Sequence, residues 1–377
     1  MSFAYRPTAL VDLLHSRHQV GIRQRSLRHR CRLGRATELV FVLASGATLL
    51  IGGQANADDL IWTGAESNFW DEVGDENWIN TTTGSIPDFF VDGDDVTFDG
   101  TAFIRNVTIS QGAPVTTGDI TFDASSYVID AATSDDQLDV TGTLSVTNAF
   151  DSAIIYARLV DGATIEGAGN LMLAGGSGDV VTTGDIVVNG AATQTVSLRG
   201  GTFFNDVVQN GGNVLIDGAN FSSASNLVVN SGTMTVASTV TVNDVTLDGP
   251  AGTELEIVSS GALQYDAAGT LDVEGAALLD LREGGTIGTS GVNVSVNAGA
   301  GSALSIEGTV NGDVATASST SEMGGNVSGR LTVSGGSTTV NSEASADEVL
   351  VTGGDLTIND TLNVRGGTGP VVYSGTS

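Results

Sequence analysis

The sequence contains no Lys, and its three His and its single Cys all lie within the first 35 residues. These are His15, His18, His29 and Cys31, and eight of the fourteen Arg share the same stretch. If this segment is removed, the remaining chain has no imidazole, thiol or primary amine side chain, which excludes most of the usual nucleophiles and general bases. Without Cys it cannot form a disulfide either, so its stability must come from repeated burial of aliphatic side chains.

Residues 1–57 have the layout of a secretory signal peptide with an extended basic leader. A basic stretch from Arg6 to Arg35 precedes the apolar run 39–51, and the small residues Ala55 and Ala57 mark a cleavage site. The apolar run is shorter than a transmembrane helix requires. We therefore predict cleavage after Ala57 and a secreted or cell-surface, outer-membrane location. An uncleaved signal anchor is the alternative.

The chain that remains after cleavage is strongly acidic. The full sequence has a formal net charge of −30, and removal of the basic leader leaves 42 acids against six Arg, a net charge of −36. Such a surface repels nucleic acid and anionic lipid headgroups, so neither is an expected partner. Calcium is a plausible counterion. Alternatively, the charge serves only to keep a β-rich chain soluble and to prevent its edges from associating.

Residues 101–377 form a regular series of short strands separated by polar turns, and apolar and polar residues alternate within the strands. Val, Leu, Ile and Thr alternate with Gly, Asn, Asp and Ser, as in 226–236, 271–281 and 349–358, and helical periodicity is absent. The turns recur about every 20 residues, which is typical of a β-solenoid. We predict an all-β fold, a single-stranded parallel β-helix of roughly 14 coils and about 65 Å in length.

The region before the repeats, residues 58–100, holds all three Trp. Trp62, Trp70 and Trp78 are spaced eight residues apart. One interpretation is a capping segment that covers the open end of the solenoid, where strand edges and apolar interior would otherwise be exposed. The other interpretation is an aromatic platform that binds carbohydrate by stacking on sugar rings.

Carboxylates are the remaining candidates for chemistry. Asp92, Asp94 and Asp95 alternate as in a calcium loop, but Phe103 stands where an EF-hand requires Glu. A solvated turn is the alternative there. The pair Asp135 and Asp136 could correspond to the two acids of a polysaccharide hydrolase, although adjacent acids also arise by chance in so acidic a chain. The six Arg outside the leader are scattered singly, and we expect each to pair with neighbouring acids on the surface.

The N-terminal segment resembles exported bacterial proteins that carry autotransporter-associated β-strand repeats. The resemblance rests on Trp62-Thr-Gly64, Trp70, Asn77-Trp78, Pro87 and the acidic run 94–99, and it extends downstream only through composition and rhythm. It implies a right-handed parallel β-helix, a surface or extracellular location, and a passenger-like adhesive or structural role without established catalysis.

Three functions therefore remain open. The first is a non-enzymatic secreted or cell-surface β-solenoid, autotransporter-passenger-like, in adhesion or envelope structure, with no cofactor. The second is a carbohydrate-binding module centred on the three Trp. The third is a β-helix polysaccharide lyase or hydrolase, which needs clustered acids and an Arg on one face of several consecutive coils. Surface polysaccharide, other envelope components and end-to-end self-association are the expected partners, with no membrane span in the mature chain.

Overall fold

The protein is all-β, as the sequence predicts. The computed structural model describes residues 57–72, 74–175, 179–222, 224–317, 320–366 and 372–373, and these residues form 43 short strands and no helix. No helix able to span a membrane is found in this part of the chain. The predicted leader lies outside the described residues, apart from Ala57.

The strands form four sheets, of which sheet 1 is the longest with 16 strands. It contains β1 (Asp59–Trp62), β3 (Trp78–Asn80), β4 (Asp95–Phe98), β7 (Ile120–Phe122), β10 (Thr143–Val146), β13 (Ala163–Gly167), β16 (Ile186–Asn189), β19 (Val207–Gly211), β22 (Leu227–Val229), β25 (Val245–Gly249), β28 (Gly269–Gly275), β31 (Val294–Ala298), β34 (Gly312–Thr316), β37 (Arg330–Val333), β40 (Glu348–Val351) and β43 (Val372–Tyr373).

Sheet 2 has 14 strands. It contains β2 (Phe69–Trp70), β5 (Asn106–Ile109), β8 (Tyr127–Ala131), β11 (Ser152–Ile155), β14 (Asn170–Ala174), β17 (Thr195–Arg199), β20 (Asn213–Asp217), β23 (Thr233–Val236), β26 (Glu254–Ile257), β29 (Leu278–Leu281), β32 (Ala303–Ile306), β35 (Thr320–Met323), β38 (Ser337–Val340) and β41 (Asp355–Ile358).

Sheets 3 and 4 follow one another on the third face. Sheet 3 contains β6 (Val115–Thr117), β9 (Gln137–Val140), β12 (Arg158–Val160), β15 (Val180–Thr182), β18 (Thr202–Phe203) and β21 (Asn220–Phe221). Sheet 4 contains β24 (Thr239–Val242), β27 (Ala262–Tyr265), β30 (Thr286–Ile287), β33 (Thr309–Val310), β36 (Asn326–Val327), β39 (Ala344–Ala346) and β42 (Leu362–Val364).

Each coil of the chain supplies one strand to each of three faces, so a strand pairs with the strand three places along the sequence, except at β3 and at the break between β21 and β24. All of these pairs are parallel, and the only antiparallel pair between strands in the described residues joins β1 to β3. The chain makes about 13 turns, against the roughly 14 expected. Coil length also varies along the stack, so one repeat length does not fix the number of turns. The coil that leads from Leu304 to its partner Ser321 is short, whereas the coil from Val245 to Leu271 is much longer.

The interior consists of aligned columns of aliphatic side chains. In sheet 1, Val96, Ile120, Leu144 and Ile165 lie in register in four successive coils, and all four are buried. Since successive residues of a strand point to opposite faces, the intervening residues point outward. Full burial of one such side chain stabilises the fold by about 1.5–3 kcal/mol. A narrow aliphatic interior therefore explains why the repeats contain so few aromatic residues.

The first end of the solenoid is closed by the segment that contains the three Trp. Strand β3 folds back on β1, with Trp62 opposite Trp78, and covers the edge of sheet 1. Strand β2 begins sheet 2 by pairing with β5. Below these strands the rings of Phe98 and Phe122 stack in successive coils with their centroids 5.1 Å apart. The segment thus packs directly onto the first coils.

Candidate binding surface

The three Trp side chains form the core of the N-terminal segment. Trp62 and Trp70 are 0 % exposed and Trp78 is 1 % exposed. Their rings pack edge to face, with centroids 5.0 Å apart for Trp62 and Trp78 and 5.5 Å apart for Trp70 and Trp78. Phe90 and Phe98 cover the remaining faces. No ring face is presented to solvent, so the structure does not offer these side chains as a platform for carbohydrate, and their arrangement is that of a cap.

The three acids of the candidate calcium loop accept hydrogen bonds from the backbone. Asp92 Oδ1 accepts from the Thr116 nitrogen at 2.9 Å, and Asp95 Oδ1 accepts from the Asp119 nitrogen at 2.7 Å. Asp94 is buried and accepts from the nitrogens of Asp58 and Val91. No group of three or more potential metal ligands is found among the described residues. Through their hydrogen bonds to the backbone, the three carboxylates organise a turn.

A carboxylate ladder follows the corner where each coil enters sheet 1. In each case an Asp oxygen accepts a backbone N–H from the next coil, for example Asp119 from Thr143 at 2.6 Å and Asp206 from Asn226 at 2.7 Å. The members are Asp95, Asp119, Asp185, Asp206, Asp244 and Asp313. Because an ionised acceptor strengthens a hydrogen bond, each member ties two coils together. Part of the high acid content thus has a structural use.

The pair Asp135 and Asp136 consists of one exposed and one buried carboxylate. Asp136 is 2 % exposed, and its oxygens accept hydrogen bonds from Gln111, Gly112 and Thr133. Burial alone would raise its pKa, but these hydrogen bonds outweigh burial and lower the pKa below the usual value. The lowered pKa of Asp136 is unlike that of the general acid of a glycosidase, whose pKa is raised. Asp135 is exposed.

A concave site lies beside this pair, at the corner between sheets 2 and 3. We call it the corner cleft. It has a volume of about 490 Å³, within the roughly 300–1,000 Å³ of ligand pockets. Its lining comes from three successive coils and consists of Asp130, Ala131, Ala132, Thr133, Ser134, Asp136, Tyr156, Arg158, Asp179 and Val180.

The concavity arises from the lengths of the corners. Two residues, 156–157, join β11 to β12, whereas five residues join β8 to β9 in the coil before and five join β14 to β15 in the coil after. The short corner is therefore recessed beside the longer corner 132–136 of the coil before. Tyr156 and Arg158 alternate with buried Ala157, so both side chains point outward at the recessed level.

Arg158 differs from the other Arg residues of the described chain. Arg199, Arg282, Arg330 and Arg365 each form an ion pair with an Asp or a Glu, as the sequence led us to expect. Arg105 donates to the carbonyl oxygens of Ser125 and Gly100 and lies over the ring of Tyr127. Within the described residues, the Arg158 guanidinium has no hydrogen-bond or ion-pair partner, and its Nε is buried. The expectation that every Arg pairs with an acid is therefore wrong for Arg105 and Arg158.

A larger groove of about 780 Å³ runs along the corner between sheets 2 and 4 in the last coils. Its lining includes Gly308, Gly325 and the acids Glu283, Glu307 and Glu343, and no aromatic side chain is found among its described lining residues. Of these residues only Arg365 is cationic, and it is paired with Asp347 at 3.2 Å. The corner cleft is consequently the better-equipped site, because it combines an exposed ring, an unpaired cation and carboxylates.

Sequence reasoning did not single out Tyr156 or treat Arg158 as a site residue. A signal was present in Ile155-Tyr-Ala-Arg-Leu159, where an aromatic and a cationic residue occupy the two positions that alternate with apolar residues. Its position between two longer corners depends on the lengths of the neighbouring coils. The sequence alone did not show these lengths, because the turns recur at irregular intervals.

One comparison with known proteins gives a match. The chain is 28 % identical over 264 residues to a protein named adhesin BmaC autotransporter, from Brucella suis biovar 1 (strain 1330), and the match covers 59 % of this chain. The chain spans about 7 % of the length of that relative. No protein-family model and no solved structure matches the chain. The similarity and the parallel β-solenoid together fit an autotransporter passenger-like β-helix, as the resemblance in the N-terminal segment implied.

Proposed function

We propose that this protein is a non-enzymatic, cell-surface β-solenoid of the adhesin-like passenger type. The observation that carries the proposal is the uninterrupted parallel stack, whose aliphatic columns leave outward side chains on three faces for contact with other molecules. The relative, an autotransporter protein named as an adhesin, supports a surface location and an adhesive role. A solenoid displays an extended surface and needs no enclosed active site for this purpose.

The geometry of the corner cleft favours binding over hydrolysis. Its buried acid, Asp136, is ionised and held by hydrogen bonds from three residues. Its other acid in the first coil, Asp130, is exposed, whereas the general acid of a glycosidase lies buried in an apolar environment. The described part of the cleft contains no His, Lys or Cys to replace these groups.

Export is part of the same proposal. We propose that residues 1–57 direct the chain out of the cytoplasm and that cleavage leaves Asp58 as the first residue, because the leader has the basic, apolar and small-residue parts of a signal peptide. The experiment is mass spectrometry of the native protein from fractionated cells. A protein that begins at Asp58 in the surface fraction is the expected result, and an uncleaved protein in the inner membrane would contradict it.

The adhesive role is tested on intact cells. We expect antibodies against the chain to label intact cells, protease shaving to remove the label, and deletion of residues 101–366 to reduce attachment to surfaces or to other cells several-fold. A matched strain that carries Phe150→Ala, a change at a 97 % exposed side chain outside the corner cleft, controls for expression and display. Cytoplasmic location, or attachment that is unchanged by the deletion, would contradict the proposal.

A further inference from the structure

We infer that the corner cleft binds a neutral pyranoside unit of a polysaccharide, with Tyr156 as the stacking ring and Arg158 as the donor to sugar hydroxyls. The inference rests on the proposed function, because it names a ligand for the adhesive surface. The buried Trp cap takes no part in it. Three observations support it. The Tyr156 ring is exposed, the Arg158 guanidinium has no partner among the described residues, and carboxylates line the cleft around both.

Tyr156 supplies an apolar plane at the recessed level of the cleft. Its side chain is 46 % exposed, in a chain whose interior rings are almost fully buried. Its backbone is fixed, since the Tyr156 nitrogen donates to the Ile129 carbonyl at 2.8 Å and buried Ala157 follows it. The C–H face of a pyranose is apolar, and a flat ring that buries such a face gains the hydrophobic free energy of both surfaces.

Arg158 supplies donors that the protein itself does not use. Its Nε is buried without a partner among the described residues, and burial of an unpaired donor is costly. The guanidinium has five N–H donors in a rigid fork, which matches two adjacent oxygen acceptors. Vicinal hydroxyls of a pyranose present such a pair. Since Ala157 separates Arg158 from Tyr156, the two side chains leave the same edge of the coil on the same side.

The carboxylates of the cleft favour a neutral ligand. Asp130 lies one coil before Tyr156 and Asp179 one coil after Arg158, so their backbones are roughly 10 Å apart at the spacing of β-strands. Each ionised carboxylate has about four acceptor positions, so each can accept from a sugar hydroxyl in addition to its contacts within the chain. An acidic sugar would meet these two charges and a protein of net charge −30, both of which repel it.

The experiment is isothermal titration calorimetry on the purified full-length chain. The probes are soluble oligosaccharides of glucose, mannose and galactose, with oligogalacturonate as the acidic probe, in physiological salt. We expect at least one neutral oligosaccharide to bind and oligogalacturonate not to bind. Tyr156→Ala and Arg158→Gln should each weaken that binding by about tenfold or more, and Tyr156→Phe should retain most of it because the ring remains.

Two variants at other corners serve as matched controls. Phe150→Ala removes an exposed ring and Arg199→Gln removes an exposed Arg, and neither residue lines the cleft, so both should bind as the parent chain does. Circular dichroism and thermal melting confirm that every variant is folded. Failure of all neutral probes to bind, binding of oligogalacturonate alone, or neutral binding that Tyr156→Ala and Arg158→Gln leave unchanged would each overturn the inference. Because the titration uses purified protein, its failure would leave the cell-surface tests of the proposed function unaffected.

Discussion

The backbone nitrogen of Asp58 donates a hydrogen bond to Asp94 Oδ1 at 3.0 Å. Asp94 is 7 % exposed, and its burial, together with the charges of Asp58 and Asp88, raises its pKa despite hydrogen bonds from Asp58 and Val91. Asp58 is also the residue that signal-peptide cleavage would make the first of the chain. Cleavage would then convert its amide into a cationic α-amino group beside a buried carboxylate.

We therefore predict that processing stabilises the cap. A chain that begins at Asp58 should unfold at a higher urea concentration at pH 6 than a chain that retains a few residues before Asp58. The free α-amino group, with a pKa of about 8, pairs with Asp94 only when it is protonated. A carboxyl group whose pKa is raised by folding favours the folded state most at low pH and loses that contribution as pH rises, and the ion pair offsets this loss up to about pH 8.

Asp94→Asn tests the origin of this effect. The variant keeps an acceptor oxygen for the Asp58 nitrogen but removes the negative charge, so the two chain starts should become nearly equal in stability. An equal difference between the two starts in the Asp94→Asn background would contradict the ion pair. The measurement is the urea midpoint of each chain at pH 6 and pH 9.

The buried Trp cluster predicts a large effect of truncation within the cap. Trp70→Ala removes a fully buried ring that contacts Trp78, Phe90 and Phe98, and it should cost about 3–5 kcal/mol in the stability of the cap. The parent chain should show a blue-shifted Trp emission that acrylamide quenches poorly. Exposed Phe150→Ala should leave the midpoint unchanged, and strong quenching of the parent would show that the rings are exposed.

The carboxylate ladder explains why residue 118 is a glycine, although its backbone conformation does not require one. Gly118 lies beside Asp95, and a Cβ on Gly118 would stand 2.0 Å from Asp95 Oδ1. Gly118→Ala should therefore expel the carboxylate from the exposed Asp119 nitrogen and cost about 0.5–1.5 kcal/mol, the net contribution of a typical hydrogen bond.

A double-mutant cycle checks this prediction. In an Asp95→Ala background the clash with the carboxylate is gone, so Gly118→Ala should cost much less than in the parent chain. Equal costs in the two backgrounds would show that the glycine serves another purpose. Chemical denaturation of the four chains supplies the four free energies.

Arg282 neutralises an acidic cluster on the outer face of sheet 2. Its Nη2 lies 2.7 Å from Asp280 Oδ2 and its Nε lies 3.2 Å from Glu256 Oε1. Asp280 is nearly buried, and burial, followed by the charges of Asp280 and Glu256, raises the pKa of Glu254. Arg282→Gln should destabilise the chain by about 1–3 kcal/mol at pH 7, because it leaves the charge of Asp280 without its partner.

The cost of Arg282→Gln should shrink as pH falls. A carboxyl group with a raised pKa in the folded state stabilises that state once it takes up a proton, and Glu254 does so before its unfolded counterpart. Thermal melting at pH 7 and pH 4 measures the difference, and the double variant with Asp280→Asn should recover part of the loss at pH 7. A cost that is the same at both pH values would contradict this account.

The sequence was sufficient to predict the solenoid and the aromatic cluster near its N-terminus. Alternation in segments such as 271–281 determines which side chains are buried, and the absence of large rings after Phe221, apart from two Tyr, agrees with a narrow interior. The three Trp had two interpretations because spacing alone does not reveal burial. The antiparallel pairing of Trp62 and Trp78 makes them core residues, and that pairing depends on the fold-back of β3.

The candidate site was less predictable, for a physical reason. Tyr156 and Arg158 are close in sequence, but the cleft also needs Asp130 and Asp179 from neighbouring coils. Which residues become neighbours depends on the lengths of the coils, and these lengths vary along the chain. The two-residue corner after β11 is recessed only relative to the longer corner of the coil before it, and such a relation is a property of the stack.

The corner lengths also indicate how such a protein can acquire new specificity. The aliphatic columns are formed by strand residues, whereas the cleft owes its depth to the difference between corners of two and five residues. Insertion or deletion of a few corner residues would therefore create, deepen or erase a cleft without a change in the buried side chains of the strands. Duplication of a whole coil would move an existing cleft along the axis by about 4.8 Å, with its lining intact. Binding sites on this architecture can thus diversify independently of the core that supports them.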